Sequence, residues 1–123
     1  MSKRILVVED QDDNMQILRD LLDSAGYKII EARDGAEGVK AAKAERPDLI
    51  LMDIQLPVLD GYEATRQIKA DAELRAIPIV VVTSYALSGD EAKAREAGCD
   101  GYVPKPYSPR QLLAKIKQYL PEP

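Results

Sequence analysis

Four apolar runs in this chain lead directly into polar side chains that can carry chemistry. Glu9 and Asp10 follow ILVV (5–8), Asp53 follows LILM (49–52), Thr83 and Ser84 follow IPIVVV (77–82), and Lys105 follows GYVP (101–104). An unpaired ionised carboxylate costs several kcal/mol to bury. An acid that ends a buried run is therefore neutralised by a partner or stands where the core opens to water. Clustered carboxylates without His or Cys suit a hard divalent ion held by oxygen atoms, with Mg²⁺ as the default and Mn²⁺ as a substitute. A lysine beside them offsets their charge. Metal, lysine and threonine together form a set of partners for phosphoryl oxygens, with Asp53 as the candidate nucleophile. The chain has no histidine. That removes Ser/His/Asp and Cys/His nucleophile systems and His-ligated zinc, and this chain cannot carry a phosphohistidine.

These residues have to be positioned by something, and the apolar runs say what. ILVV, LILM, IPIVVV and the weaker YKII (27–30) do not alternate, so both of their faces are buried, as in a parallel sheet covered by helices. GYVP is short and ends in proline, which suits an edge strand. Helices lie between the runs. Residues 12–25 place Leu18, Leu21, Leu22 and Ala25 on one arc, and an alanine-rich stretch (35–45) follows a DG pair. Asp60 with Glu63, and SGDE (88–91), read as helix starts. Ser108 with Pro109 reads as an N-cap with proline at the first helical position, and the helix behind it buries Leu112, Leu113, Ile116 and Leu120. The pattern is strand–helix repeated five times. Right-handed crossovers turn it into an α/β three-layer sandwich, (βα)5, around a five-stranded parallel sheet. In such a sheet the C-terminal strand ends share one edge, where open α/β folds bind ligands. Glu9, Asp10, Asp53, Thr83 and Lys105 converge there.

Composition narrows the setting. The 123 residues, 46% hydrophobic and 31% charged, suit one globular domain with one real core. Residues 1–123 read as a single domain with no linker and no room for an output domain; only PEP (121–123) looks loose. No apolar run approaches the roughly 20 residues of a membrane span, and MSKRILVVED is too short in its apolar part for a signal peptide. A net charge of −4 argues against nucleic acid or an anionic membrane as direct partner. The lone Cys99 cannot close an internal disulfide, which fits a cytoplasmic location, and it reads as a small buried filler.

At these residues the chain resembles the receiver domain of bacterial two-component response regulators, the CheY-like superfamily. The resemblance spans essentially the whole chain and rests on VVEDQ (7–11), LMDIQLPVLDG (51–61), VVTSYA (81–86) and KPY (105–107) in this order and spacing. It implies the flavodoxin-like strand order 2-1-3-4-5. It implies Asp53 as phosphoacceptor, Asp10 as direct Mg²⁺ ligand, Glu9 as a ligand through water, and the backbone carbonyl of Gln55 as a further ligand. Thr83 then contacts the phosphoryl group and triggers a switch, Lys105 pairs with a phosphoryl oxygen, and Tyr102 is the rotating switch aromatic. The Lys105–Pro106 peptide is implied to be cis. The implied partners are a histidine kinase or histidine phosphotransfer protein as donor and a downstream protein target. The stretch 89–106 is also similar to single-domain DivK-type regulators, and receivers of hybrid kinases read similarly.

Plainer readings stand beside these. Asp12 and Asp13 are solvated acids at a helix start. Tyr102 as edge-strand packing and Lys105 as a surface lysine are the bland alternatives. RDGAEG (33–38) is a turn and helix start without a lysine at Walker spacing. Ile17 and Leu21 belong to the peripheral core or to a docking face for the histidine-bearing partner. Three rival functions also remain: an independent phosphohydrolase, for which DIQ (53–55) lacks a second acid; a flavodoxin-type electron carrier, for which the chain has no Trp or Phe; and a phosphate-independent binding module.

Overall fold

A computed structural model describes residues 3–83, 90–104 and 107–120, with the backbone alone at Thr83 and Asp90. The elements alternate strictly: β1 (Arg4–Val8), α1 (Asp12–Ser24), β2 (Lys28–Ala32), α2 (Gly35–Glu45), β3 (Leu49–Met52), α3 (Gly61–Ala70), β4 (Ile79–Thr83), α4 (Asp90–Ala97), β5 (Gly101–Pro104) and α5 (Pro109–Tyr119). All strand pairs are parallel, and the order is β2-β1-β3-β4-β5. The expected sandwich and strand order are therefore present, with β5 at an edge.

The unbroken apolar runs serve two cores because successive strand side chains point to opposite faces. Leu6, Val8, Ile50, Met52, Ile79 and Val81 pack on one face with Val39, Ala42, Ala64, Ile68 and Ala94 from α2, α3 and α4. Ile5, Val7, Leu49, Leu51, Val80 and Val82 pack on the other with Met15, Leu18 and Leu22 of α1 and Leu112 and Ile116 of α5. Every one of these strand residues is at most 3% exposed. Burying one such side chain stabilises by about 1.5–3 kcal/mol, so the sheet centre carries most of the driving force.

Helix starts follow the sequence signals. Asp60 accepts from the Glu63 N–H at 2.9 Å, and Asp34 from the Glu37 N–H at 2.7 Å. At α5 the signal is stronger than expected: Ser108 and Gln111 cap each other reciprocally, at 3.1 and 2.9 Å, so the Ser-Pro start is a full capping box.

Two strand boundaries and one helix face differ from what the sequence predicts. β2 runs over 28–32 and not 27–30, because the Tyr27 N–H is spent closing α1 on the Leu22 carbonyl (3.0 Å) while Glu31 and Ala32 continue the ladder opposite Val7 and Val8. The polar Glu31 is tolerated because β2 is an edge and Arg19 and Arg33 pair with it. β4 starts at Ile79 and not Ile77, whose N–H closes a turn on Leu74 (2.9 Å). On α1 the buried stripe is Met15, Leu18 and Leu22, with Leu21 half-buried and Ala25 exposed. Leu21 and Ala25 therefore lie at and beyond the margin of the buried stripe. The SGDE start, the Lys105–Pro106 peptide, Ser84, Tyr85 and the PEP tail fall outside the described residues.

Candidate functional site

The parallel register builds the site. Val8 lies opposite Met52, so the residues that leave β1 and β3 emerge side by side. The Asp53 N–H donates to the Val8 carbonyl at 3.1 Å, and the Glu9 N–H donates to the Ala32 carbonyl at 3.0 Å. Both acids thus inherit their positions from the ladder and not from a loop. One carboxylate oxygen from each of Glu9, Asp10 and Asp53 lies within 4.8 Å of the other two. Glu9 is buried, at 1% exposure; Asp53 is half-buried and Asp10 exposed. The group is therefore graded from the core outward to solvent.

Charge makes such a cluster costly. Two unit charges at about 5 Å repel by roughly 3 kcal/mol at an effective dielectric of 20, and three acids form three such pairs. Local donors relieve part of this: the Gln11 N–H reaches Glu9 Oε2 at 3.2 Å, and the Gln55 N–H reaches Asp53 Oδ1 at 3.4 Å. The donor set is all hard oxygen and partly open to water, which fits Mg²⁺. The Ile54 carbonyl is already occupied, accepting from Leu56 (3.0 Å) and Gly61 (2.9 Å). The Gln55 carbonyl accepts no hydrogen bond among the described residues, which leaves it free for a cation.

The loop from Asp53 to α3 is held by close approach. A Cβ on Gly61 would lie 2.0 Å from the Asp53 carbonyl oxygen, and one on Gly35 would lie 1.8 Å from that of Leu59. Only glycine lets the two helix starts press on the loop that carries Asp53. In the sequence Gly61 belongs to the DG pair (60–61) at a helix start; its role as a spacer needs the fold.

The other expected residues are distributed as follows. Thr83 ends β4 opposite Pro104, one residue before Lys105; its hydroxyl and all of Lys105 lie outside the described residues. Tyr102 is half-buried on β5 and packs against the core beneath α2, α3 and α4. It also lines a hollow of about 270 Å³ with Tyr107, Gln111 and Lys115. Tyr107 is a further neighbour of the site. Burial first, and then the charge of Glu9, push its phenol above the usual tyrosine range. Arg33, which the sequence reading assigned to a plain turn, pairs with both Asp12 and Glu31. Asp12 is thus an exposed, paired acid outside the cluster, and Asp13 is exposed as expected. Cys99 is buried, and its thiol is pushed above its ordinary value, chiefly by that burial, as befits a packing residue.

Among known proteins, the sequence profile of the family described as "Response regulator receiver domain" matches residues 5–117. The chain is similar to the polar-differentiation response regulator DivK of Brucella anthropi, with 47% identity over 98% of each chain. DivK of Brucella ovis is 46% identical over the same shares. Among solved structures it is similar to the receiver domain of the sensor histidine kinase PA1611 from Pseudomonas aeruginosa, which carries a magnesium ion coordinated in its active-site cleft. That likeness has a TM-score of 0.92 and 38% identity, and covers 99% of this chain and 100% of the other. The chemotaxis protein CheY4 of Vibrio cholerae superposes with a TM-score of 0.90 at 26% identity, over 97% and 99%.

Proposed function

The chain belongs to the response regulator receiver domain family, phosphoryl acceptors of two-component signalling, and on that premise we propose that Asp53 is its phosphoacceptor. The observation that carries this is the convergence of Glu9, Asp10 and Asp53 at adjacent strand ends, with carboxylate oxygens within 4.8 Å. The donor is the phosphohistidine of a histidine kinase or phosphotransfer protein. An Asp53 oxygen attacks phosphorus, the P–N bond breaks, the imidazole leaves with the electron pair and picks up a proton, and an acyl phosphate remains on Asp53.

Asp10 and Asp53 would hold Mg²⁺ directly, with the Gln55 carbonyl, and Glu9 would hold it through water; the magnesium in the cleft of the PA1611 receiver supports this set. Bound there, the ion offsets the negative charge of acids and phosphoryl group in flight. The chain's own part is positioning. Asp53 is fixed by its N–H bond to Val8 and by the Gly61 contact, which suits a reaction that needs an in-line approach more than covalent assistance. By family resemblance Lys105 and Thr83 take phosphoryl oxygens, and Tyr102 turns in response and alters the surface read by a downstream protein. Ile17, 58% exposed on α1, belongs to the docking face for the donor. The reading is of a DivK-type regulator, 1–123 as one receiver, working in the cytoplasm. It catalyses its own phosphorylation and hydrolysis and acts on no outside substrate.

The test is to incubate the protein with acetyl phosphate and Mg²⁺, reduce the acyl phosphate with borohydride, and map the resulting homoserine by mass spectrometry. Homoserine at position 53 is expected. Homoserine at another acid, with Asp53 intact, would overturn the assignment.

A further inference from the structure

The loop that leaves Asp53 contains a residue that the phosphoacceptor reading does not use. Val58 has φ of +69°, and the Leu59 N–H donates across it to the Pro57 carbonyl at 2.7 Å. This is the γ-turn of positive φ, the rarer and more strained kind. A β-branched residue is a poor choice there, where glycine would sit without strain. Nor does the side chain gain by packing inward, since Val58 is 83% exposed. An apolar side chain is held out to water at a backbone cost, with no return inside the molecule.

Val58 stands at one end of a groove of about 400 Å³ between α2 and α3. Val39 and Leu59 form its apolar floor, and Lys40, Lys43 and Gln67 line its sides. Neither lysine has an ion pair among the described residues. Arg4, Arg19, Arg33, Arg46, Arg66 and Arg95 are paired with acids, whereas Arg75 and Arg110, like these two lysines, have no ion pair among the described residues. Glu63, on the neighbouring α3, is already engaged by Arg66 and Gln67. Two free positive charges therefore border an apolar trough on a chain whose net charge is −4.

We propose that the α2–α3 groove is a second protein-docking site, and that its occupant is an acidic amphipathic helix of a partner protein. Lys40 and Lys43 lie three residues apart on α2, so carboxylates at helical spacing on the occupant meet both of them. Its apolar stripe meets Val39, Leu59 and Val58, in the helix-in-groove mode. α2 has 11 residues, about 16 Å at 1.5 Å per residue, so an occupant of about three turns spans it. The site is on the unphosphorylated molecule and does not depend on chemistry at Asp53.

The test uses full-length ¹⁵N-labelled protein at low salt and a synthetic helical peptide of about 12–16 residues, with leucine at i, i+3, i+4 and i+7 and glutamate beside them. A second peptide carries lysine for every glutamate. The acidic peptide is expected to shift amides of Ala36, Lys40, Lys43, Val58 and Gln67, and the basic one to leave them still. The double variant Lys40→Glu with Lys43→Glu should weaken binding about tenfold or more, as charge reversal does at a complementary face. Val58→Gly should also weaken binding while the urea midpoint stays equal or rises, because glycine relieves the turn. That pairing separates docking from folding. The proposal fails if no shifts appear up to millimolar peptide, if they centre on Ile17 or Tyr102, or if both peptides bind alike. It also fails if sedimentation shows a second copy of the chain in the groove.

Discussion

The two ends of the sheet handle carboxylates in opposite ways. At the C-terminal edge Glu9, Asp10 and Asp53 crowd within 4.8 Å. Toward the N-terminal ends of the strands, each acid has its partners built in. Asp100 Oδ2 accepts from Lys69 Nζ and from the Ile79 N–H, both at 2.8 Å, and its backbone carbonyl accepts from the Tyr119 hydroxyl at 2.6 Å. Lys69 also donates to the carbonyls of Arg75 and Ile77. Asp48 likewise accepts from the Arg4 N–H at 2.8 Å. One end spends its acids on stitching α3, β4, β5 and α5 together. The other concentrates negative charge, so that a cation offsets both the acids and the charge that an incoming phosphoryl group adds. At one end the carboxylates are tied to a lysine and to backbone N–H groups, and at the other three of them are gathered at one point.

The sharpest way to break this comparison is to remove one acid at each end. Asp53→Asn should reduce acetyl-phosphate labelling on a Phos-tag gel to background, whereas Asp100→Asn should label at a rate close to the unaltered protein. Comparable losses in both would erase the distinction.

Stability should show the reverse pattern. Asp100→Ala leaves the Ile79 N–H without its acceptor and takes the carboxylate from the Lys69 ammonium, which keeps the Arg75 and Ile77 carbonyls, and hydrogen bonds to charged groups contribute about 1.5–3 kcal/mol each. A loss of about 2–4 kcal/mol in urea unfolding is expected. Asp10→Asn, in contrast, relieves repulsion, so without metal its unfolding midpoint should be equal or higher. A destabilised Asp10→Asn in EDTA would show that the cluster is not under charge strain.

The same Asp10 variant sharpens the metal assignment. Loss of one anionic ligand should weaken Mg²⁺ binding about tenfold, or about 1.4 kcal/mol, by a chelator-competition titration. Labelling of the unaltered protein should also stop in EDTA.

The smallest effect lies at alkaline pH. Tyr107 near the acidic cluster and Cys99 beside Asp100 both hold their protons more tightly in the folded chain, chiefly through burial. Their contribution is complete below their unfolded values, near 8.5 for a thiol and 10 for a phenol. It is lost as pH rises toward the folded ones, because the folded state then binds more protons than the unfolded. The urea midpoint should fall between pH 8 and pH 10, and Cys99→Ala should remove part of the fall. A flat profile would mean that neither group is desolvated.

What the sequence determined by itself was the architecture and the meeting of Glu9, Asp10 and Asp53 at one sheet edge. Non-alternating runs at 5–8 and 49–52 can only be satisfied by burial on both faces, and an acid behind each run then has one edge of a parallel sheet to occupy. Those are local facts of hydrophobicity and period. The tertiary structure decided matters that depend on which chain segments meet. Glu31 could join β2 because Arg19 and Arg33 reach it from α1 and the next turn. Gly61 and Gly35 turned out to be spacers, because another segment's carbonyl lies under each. Val58, one apolar letter in LPVLD, is buried or displayed according to a backbone angle that the letters do not encode. Lys69 and Asp100, 31 residues apart, meet only because α3 and β5 are neighbours in space. Contact across such separations is set by packing, and no local pattern of residue types records it.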